Sequence, residues 1–201
     1  MKILSVSDQI KSFLQDSTYA KELNGIDLIL SCGDLTPEYI SSLAIKFNVP
    51  AYYVCGNHDI RFLSSPPAGC INLHNQIIQF NGINFLGIEG SKWYNGGHFQ
   101  YTERQMKIMI KRLKIRIWLQ GGIDIVITHA PPRHINDAED MCHQGFNSFR
   151  WLIEKYAPSY FLHGHIHAIF HNPSERITLY EETKVINCFG YYIFEVKNEK
   201  K

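Results

Sequence analysis

The sequence predicts an α/β protein in which buried strands alternate with helices and further strands extend or double the sheet. Three observations carry this expectation. Five short runs rich in Ile, Leu, Val or aromatics, at 2–7, 27–31, 51–55, 124–128 and 159–162, each end at a polar or glycine-containing element. A continuous apolar run of that length is what a strand covered on both faces requires. Helix-like stretches at 10–22, 36–47, 102–118 and 145–156 lie between the runs, and strand followed by helix, repeated, implies parallel pairing. Two regions, 77–89 and 176–196, break the alternation with additional β-prone segments. They are too many for one doubly wound sheet, so a second or extended sheet packed on the first is expected.

Taken in order, the N-terminal run carries one basic residue and a short apolar stretch that meets Asp8. That is wrong for a signal peptide and right for a first strand. The third helix opens with Thr102-Glu103-Arg104-Gln105, a capping-box pattern, and repeats apolar residues at Met106, Met109, Ile110 and Leu113. Asn81-Gly82, between two β-prone runs, favours a tight hairpin. With 201 residues and no linker, residues 1–196 are expected to form one domain and 197–201 a frayed tail.

Composition narrows the function classes. Apolar residues make up 45% and charged residues 19% of the chain, a globular balance, and no apolar run approaches the roughly 18 residues of a membrane span. A net charge of +1 makes no general case for nucleic acid or an acidic membrane surface. The five cysteines are odd in number, widely spaced and free of C-x-x-C pairs, which argues for a reducing compartment, the cytoplasm, over a disulfide framework or a zinc finger. Cys32 and Cys55 are expected to be small buried hydrophobes. The ten histidines are the one oddity.

Polar residues collected at the strand ends are Asp8, Gly33-Asp34, Gly56-Asn57-His58-Asp59, His129 before Ala130-Pro131-Pro132, and Gly164-His165-Ile166-His167. In open α/β sheets ligands bind outside the carboxyl ends of the strands, so these groups should converge. Two carboxylates, an amide oxygen and three imidazoles suit divalent manganese, iron, zinc or nickel better than calcium or magnesium. The glycines before Asp34, Asn57 and His165 allow sharp turns that aim those side chains inward. His165 and His167, one residue apart, point the same way on an extended chain and could serve two adjacent ions. His163, inside the last strand, is expected to be a core histidine, and His74, His98 and His171 have no supporting pattern.

In these motifs the chain resembles the calcineurin-like metallophosphoesterases, whose successive elements are D-x-H, G-D, G-N-H-D or G-N-H-E, an isolated His, and G-H-x-H. Four of the five match in order, and the closest likeness is to a branch of small bacterial and archaeal phosphoesterases. The resemblance implies a four-layer αββα sandwich of two mixed β-sheets flanked by helices. It also implies two divalent transition-metal ions, manganese favoured, with Asp34 bridging, Asp8 and His167 on the first, and Asn57, His129 and His165 on the second. The departure is at position 10, where the family's first motif has a histidine and this chain has Ile10. Ile10 cannot bind a metal, and Gln9, next to Asp8 on an extended chain, points the other way. The first site is therefore expected to be the weaker.

The implied reaction is hydrolysis of a phosphodiester or phosphomonoester by a metal-bridging hydroxide, with the diester slightly preferred on family grounds. His58 would protonate the leaving alkoxide, with Asp59 orienting its ring. Two loops could shape a pocket for a phosphorylated small molecule or nucleotide-like substrate. Asn95 lies in the glycine-rich loop 91–98, which serves equally as an ordinary connection. Arg133 could clamp a phosphate bidentately. The rival expectation, resting on Ile10, is a degenerate relative that keeps the fold as a protein-binding scaffold.

Overall fold

The computed structural model describes residues 1–16 and 21–197. In chain order its strands are β1 (Lys2–Ser7), β2 (Leu28–Ser31), β3 (Ala51–Tyr53), β4 (Ile71–Asn72), β5 (Ile77–Phe80), β6 (Ile83–Ile88), β7 (Ser91–Lys92) and β8 (Gln100–Tyr101). The chain continues with β9 (Ile125–Thr128), β10 (Tyr160–His163), β11 (Ile177–Tyr180), β12 (Thr183–Asn187) and β13 (Gly190–Glu195). The helices are α1 (Pro37–Phe47), α2 (Glu103–Leu119) and α3 (Asn147–Tyr156).

Two mixed sheets carry the architecture. The first runs β13-β1-β2-β3-β4 and is parallel except for β13; the second runs β11-β12-β10-β9-β6-β5, with β5 and β11 antiparallel at its edges. Side-chain alternation along each strand supplies a hydrophobic surface on both faces. Ile3, Leu28 and Leu30 face Phe85, Ile127 and Leu162 of the second sheet, whereas Leu4, Val6 and Ile29 face Tyr39, Ile40 and Leu43 of α1. On the far side of the second sheet, Leu86, Val126 and Phe161 pack against Met106 and Ile110 of α2 and Phe149 of α3. Each such side chain contributes about 1.5–3 kcal/mol of burial, and three apolar interfaces make four layers, as the family resemblance implies.

Local signals behave as anticipated. The Thr102 hydroxyl and the Gln105 side chain form the reciprocal capping box of α2. Asn81 and Gly82 take φ of 50° and 77° in the turn joining β5 to β6, as a two-residue hairpin demands. The stretch 10–22 differs from expectation. Among its described residues it holds two short 3-10 turns, Ser12–Leu14 and Lys21–Leu23, and 17–20 lie outside the described residues. The Lys46 ammonium of α1 donates to the carbonyls of Leu14 and Asp16, groups that a continuous helix would have paired with its own amides. The expected tail 197–201 falls, beyond Lys197, outside the described residues. No helix among the described residues is long and apolar enough to cross a membrane.

This topology brings five chain segments to one end of the sandwich. Asp8 follows β1, Asp34 lies three residues beyond β2, 56–59 follow β3, His129 follows β9, and 164–167 follow β10. Backbone bonds from Asp8 N–H to the Gly33 carbonyl (3.1 Å) and from Gly164 N–H to the His129 carbonyl (2.9 Å) knit these ends together.

Candidate metal centre

Three of the polar residues at this end carry backbone strain themselves. Asp8, Asp34 and His165 have φ of 62°, 56° and 66°, a left-handed conformation that costs a non-glycine residue on the order of 1–2 kcal/mol. The turns are thus made by the functional residues, and two of the neighbouring glycines serve another purpose. A Cβ on Gly56 would overlap Asp34 Oδ1, and one on Gly164 would overlap Ser7 Oγ. Both glycines leave the space into which the carboxylates of Asp34 and Asp8 fit.

The wholly buried ring of His129 is the hub. Its Nδ1 lies 2.8 Å from the Cys32 carbonyl, which can only accept, so Nδ1 carries a hydrogen and Nε2 faces the cluster. Around Nε2 stand His165 Nδ1 at 3.0 Å, Asn57 Oδ1 at 3.1 Å and Asp34 Oδ2 at 3.4 Å. His165 is aimed in the same way: its Nε2 meets the Cys142 carbonyl at 2.7 Å, leaving the Nδ1 lone pair inward. Donor separations of this size match the ~3.3 Å edges of a tetrahedron with ~2.0–2.1 Å metal–ligand bonds. The metal-binding atoms of Asp34, His129 and His165 all lie within 4.8 Å of one another. An oxygen and nitrogen set of this kind fits a divalent transition ion.

Charge in the cluster is shared unequally. Burial opposes a charge on His129, but the Asp34 carboxylate outweighs it and holds the imidazolium well above the usual range. Burial also works to raise the Asp34 carboxyl, and the His129 charge together with the His58 amide holds it well below. His165 is pushed down to about 3 by burial and by the neighbouring His129 charge. His165 Nδ1, Asn57 Oδ1 and Asp34 Oδ2 therefore converge on His129 Nε2, a place built for a cation.

The other half of the cleft is looser. Burial raises the Asp8 carboxyl, with His129 opposing, and its oxygens accept the His165 N–H at 3.0 and 3.1 Å. His167 Nε2 is 3.5 Å from Asp8 Oδ1, its side chain 64% exposed while that of Asp8 is 1% exposed. Its ring lies 4.8 Å from that of Phe189. Ile10 is half-exposed and borders a hollow shared with Asp8, Asp34 and His58.

His58 is exposed at the mouth of the cleft, and its backbone N–H donates to Asp34 Oδ1 at 2.9 Å. Asp59 does not orient the His58 ring as anticipated. Its Oδ2 accepts the N–H groups of Gly56 (2.7 Å) and Asp34 (2.8 Å), bracing two of the five segments against each other. Burial and the Asp34 charge push its carboxyl up to about 7.

Neither expected substrate-binding side chain lines the cleft. The Arg133 fork is taken by Asp137 at 2.7 Å and Glu139 at 2.6 Å, acids close enough in sequence to satisfy it within its own loop. Asn95 Oδ1 accepts from Gly97 N–H (3.1 Å) and Gln100 Nε2 (2.7 Å). The cleft is bordered instead by Tyr94, whose hydroxyl accepts from Asn57 Nδ2 at 3.2 Å, and by His143, whose ring is 5.1 Å from that of His165. Both border a cavity of about 370 Å³. Tyr94 adjoins the residue singled out, and His143 belongs to the same loop as Arg133. The Cys142 carbonyl left no trace in the sequence. His163 is wholly buried, and burial lowers it to about 4.

A family model described as calcineurin-like phosphoesterase matches residues 1–168. The fold is similar to that of TT1561 of Thermus thermophilus, at 16% identity and a TM-score of 0.64, over 94% of this chain and 89% of that one. It is also similar to calcineurin-like phosphoesterase YfkN from Bacillus subtilis, at 15% identity and a TM-score of 0.51, over 93% and 80% of the two chains. No curated protein matches the sequence.

Proposed function

The chain belongs to the calcineurin-like phosphoesterases, and from that premise we propose that it hydrolyses a phosphodiester, or secondarily a phosphomonoester, at the cleft described above. The observation that carries the proposal is the convergence of Asp34, Asn57 and His165 on His129 Nε2, with both imidazoles aimed by backbone carbonyls. Asp34, Asn57, His129 and His165 would hold one divalent ion. Asp8, His167 and a shared Asp34 would hold a second, weaker one, manganese being favoured for both. Bound divalent ions supply positive charge to phosphate oxygens and acidify water.

The remaining work belongs to the chain. His58, at the mouth with its amide on Asp34, would give a proton to the leaving alkoxide. Asp59 holds the Gly56 turn and the Asp34 backbone in register. Tyr94 steadies Asn57, so that the amide oxygen points to the cluster and the amide nitrogen away from it. The five cysteines, all free of disulfides, support a cytoplasmic setting.

Ile10 favours a second reading, a metal-poor scaffold that keeps the fold without turnover. Elemental analysis followed by a model-diester assay with and without manganese separates the two. Bound metal with metal-stimulated turnover is expected, and neither metal nor turnover would overturn the enzyme proposal. For the proton donor, His58→Ala should slow esters with poor leaving groups by roughly 100-fold or more and activated aryl esters far less. Equal losses on both would remove His58 from that role.

A further inference from the structure

The near-neutral charge of the whole chain conceals an uneven distribution. Helix α2 carries six of the twenty basic residues and one of the nineteen acidic ones. That one acid, Glu103, is occupied: it accepts the N–H groups of Asn147 and Ser148 at the start of α3. Among the described residues, the ion pairs made by Lys or Arg involve only Arg61, Arg133 and Arg150. The cations of α2 are therefore not neutralised within the described chain.

The same helix has two apolar stripes. One, Met106, Ile110, Leu113 and Ile117, is buried in the core. The other, Ile108, Ile115, Trp118 and Leu119, is 42%, 70%, 78% and 69% exposed. Spacings of seven, ten and eleven residues from Ile108 place these four side chains along the outer face, opposite the core. Lys107, Lys111 and Lys114 recur along one flank of the outer stripe, Arg112 and Arg116 along the other. Beside it runs a groove of about 550 Å³ bordered by Ile108, Met109, Arg112 and Arg116, room for a phosphate-bearing headgroup.

We propose that the outer face of α2 docks on an anionic phospholipid surface, with the apolar stripe at the acyl boundary and the flanking cations on the headgroups. An apolar face edged by Lys and Arg, with an exposed Trp, is the pattern of helices that lie in the membrane interface. A second copy of the chain is disfavoured because it would bring like charge against like. A nucleic-acid backbone would match the cations and leave Ile115, Trp118 and Leu119 facing phosphate. The proposal stands independently of the reaction assigned to the cleft, which lies at the opposite end of the sheet from Trp118.

The test is partition of the full chain onto vesicles of phosphatidylcholine with or without phosphatidylglycerol. Binding is expected only with the anionic lipid, falling at least about 10-fold between low and high salt. In a Trp93→Phe/Trp151→Phe background, the fluorescence of Trp118 should shift to the blue on binding. Lys107→Glu/Lys111→Glu/Lys114→Glu should lose at least about 10-fold in binding, and Ile115→Ser should lose the blue shift, both keeping the wild-type circular dichroism. The inference is overturned by absence of binding to anionic vesicles at low salt, by undiminished binding of the triple variant, or by binding with no change at Trp118. It is equally overturned if duplex RNA or polyglutamate competes away the Trp118 signal, or if α2 proves to bury itself in self-association.

Discussion

The two halves of the cleft are built to different standards. Around His129 Nε2, donors from four strand ends meet within 3.0–3.4 Å, and two carbonyls fix the tautomers of the rings. Around Asp8, the imidazole in reach is that of an exposed His167 at 3.5 Å, and Ile10, which cannot ligate, borders the same hollow. The closed half is prepared before any ion arrives, so binding there requires little reordering. The open half must fix an exposed side chain at the moment of binding. The difference predicts two ions of unequal affinity sharing one carboxylate.

The largest effect should come from the hub. His129→Ala should lower kcat/KM by more than ~100-fold, beyond the roughly 10- to 100-fold typical of residues that only orient a ligand, whereas His167→Ala should cost nearer 10-fold and raise the manganese requirement. Equal losses in steady-state assays would erase the contrast between the halves.

Acid should undermine the closed half first. Burial lowers His163, two residues before His165 in the chain, to about 4, against about 6.5 in an unfolded chain. Between those values the unfolded state binds more protons, so stability is full above about pH 6.5 and declines toward pH 4, by up to about 3 kcal/mol for this group. Asp59, whose carboxyl is pushed up to about 7, acts in the opposite sense over the same interval. Urea unfolding from pH 7 to 4 is therefore compared between the wild type and His163→Gln, and parallel profiles would contradict the His163 contribution.

Asp59→Ala strands two backbone N–H groups and should cost roughly 1–3 kcal/mol of stability. It should also reduce activity on the order of 10- to 100-fold through the displaced Asp34 loop. If its role were instead to tune His58, the pH–rate profile would shift while stability held. The smallest change is a gain: Ile10→His should lower the manganese concentration for half-maximal activity by roughly 10-fold, a step toward the affinity gained from one added ligand. No shift would mean that imidazole cannot reach Asp8 from that position.

Much of the architecture was legible because its signals are local. The apolar runs ending at Asp8, Asp34, Asn57, His129 and His165 marked strands and strand ends together, and Thr102 with Gln105 marked the start of α2 before any tertiary contact was known. The described part of 10–22 departs from a continuous helix because the carbonyls of Leu14 and Asp16 are satisfied by the distant Lys46 ammonium. Arg133 and Asn95 are engaged by residues of their own loops, because residue type announces what a side chain can bind, whereas neighbours decide what it does bind. Net charge averages over the face of α2 in the same way, where six basic residues stand against one acidic residue.

The order of strand ends and the chemical kind of each candidate ligand follow from the sequence, because hydrophobic periodicity and residue type are properties of short segments. Which nitrogen of His129 and His165 faces inward is another matter. So is the use of Asp59 as a brace, and the separation of a closed half from an open one. Those depend on the carbonyls of Cys32 and Cys142 and on space left at Gly56 and Gly164, and such close approaches arise only when distant segments pack.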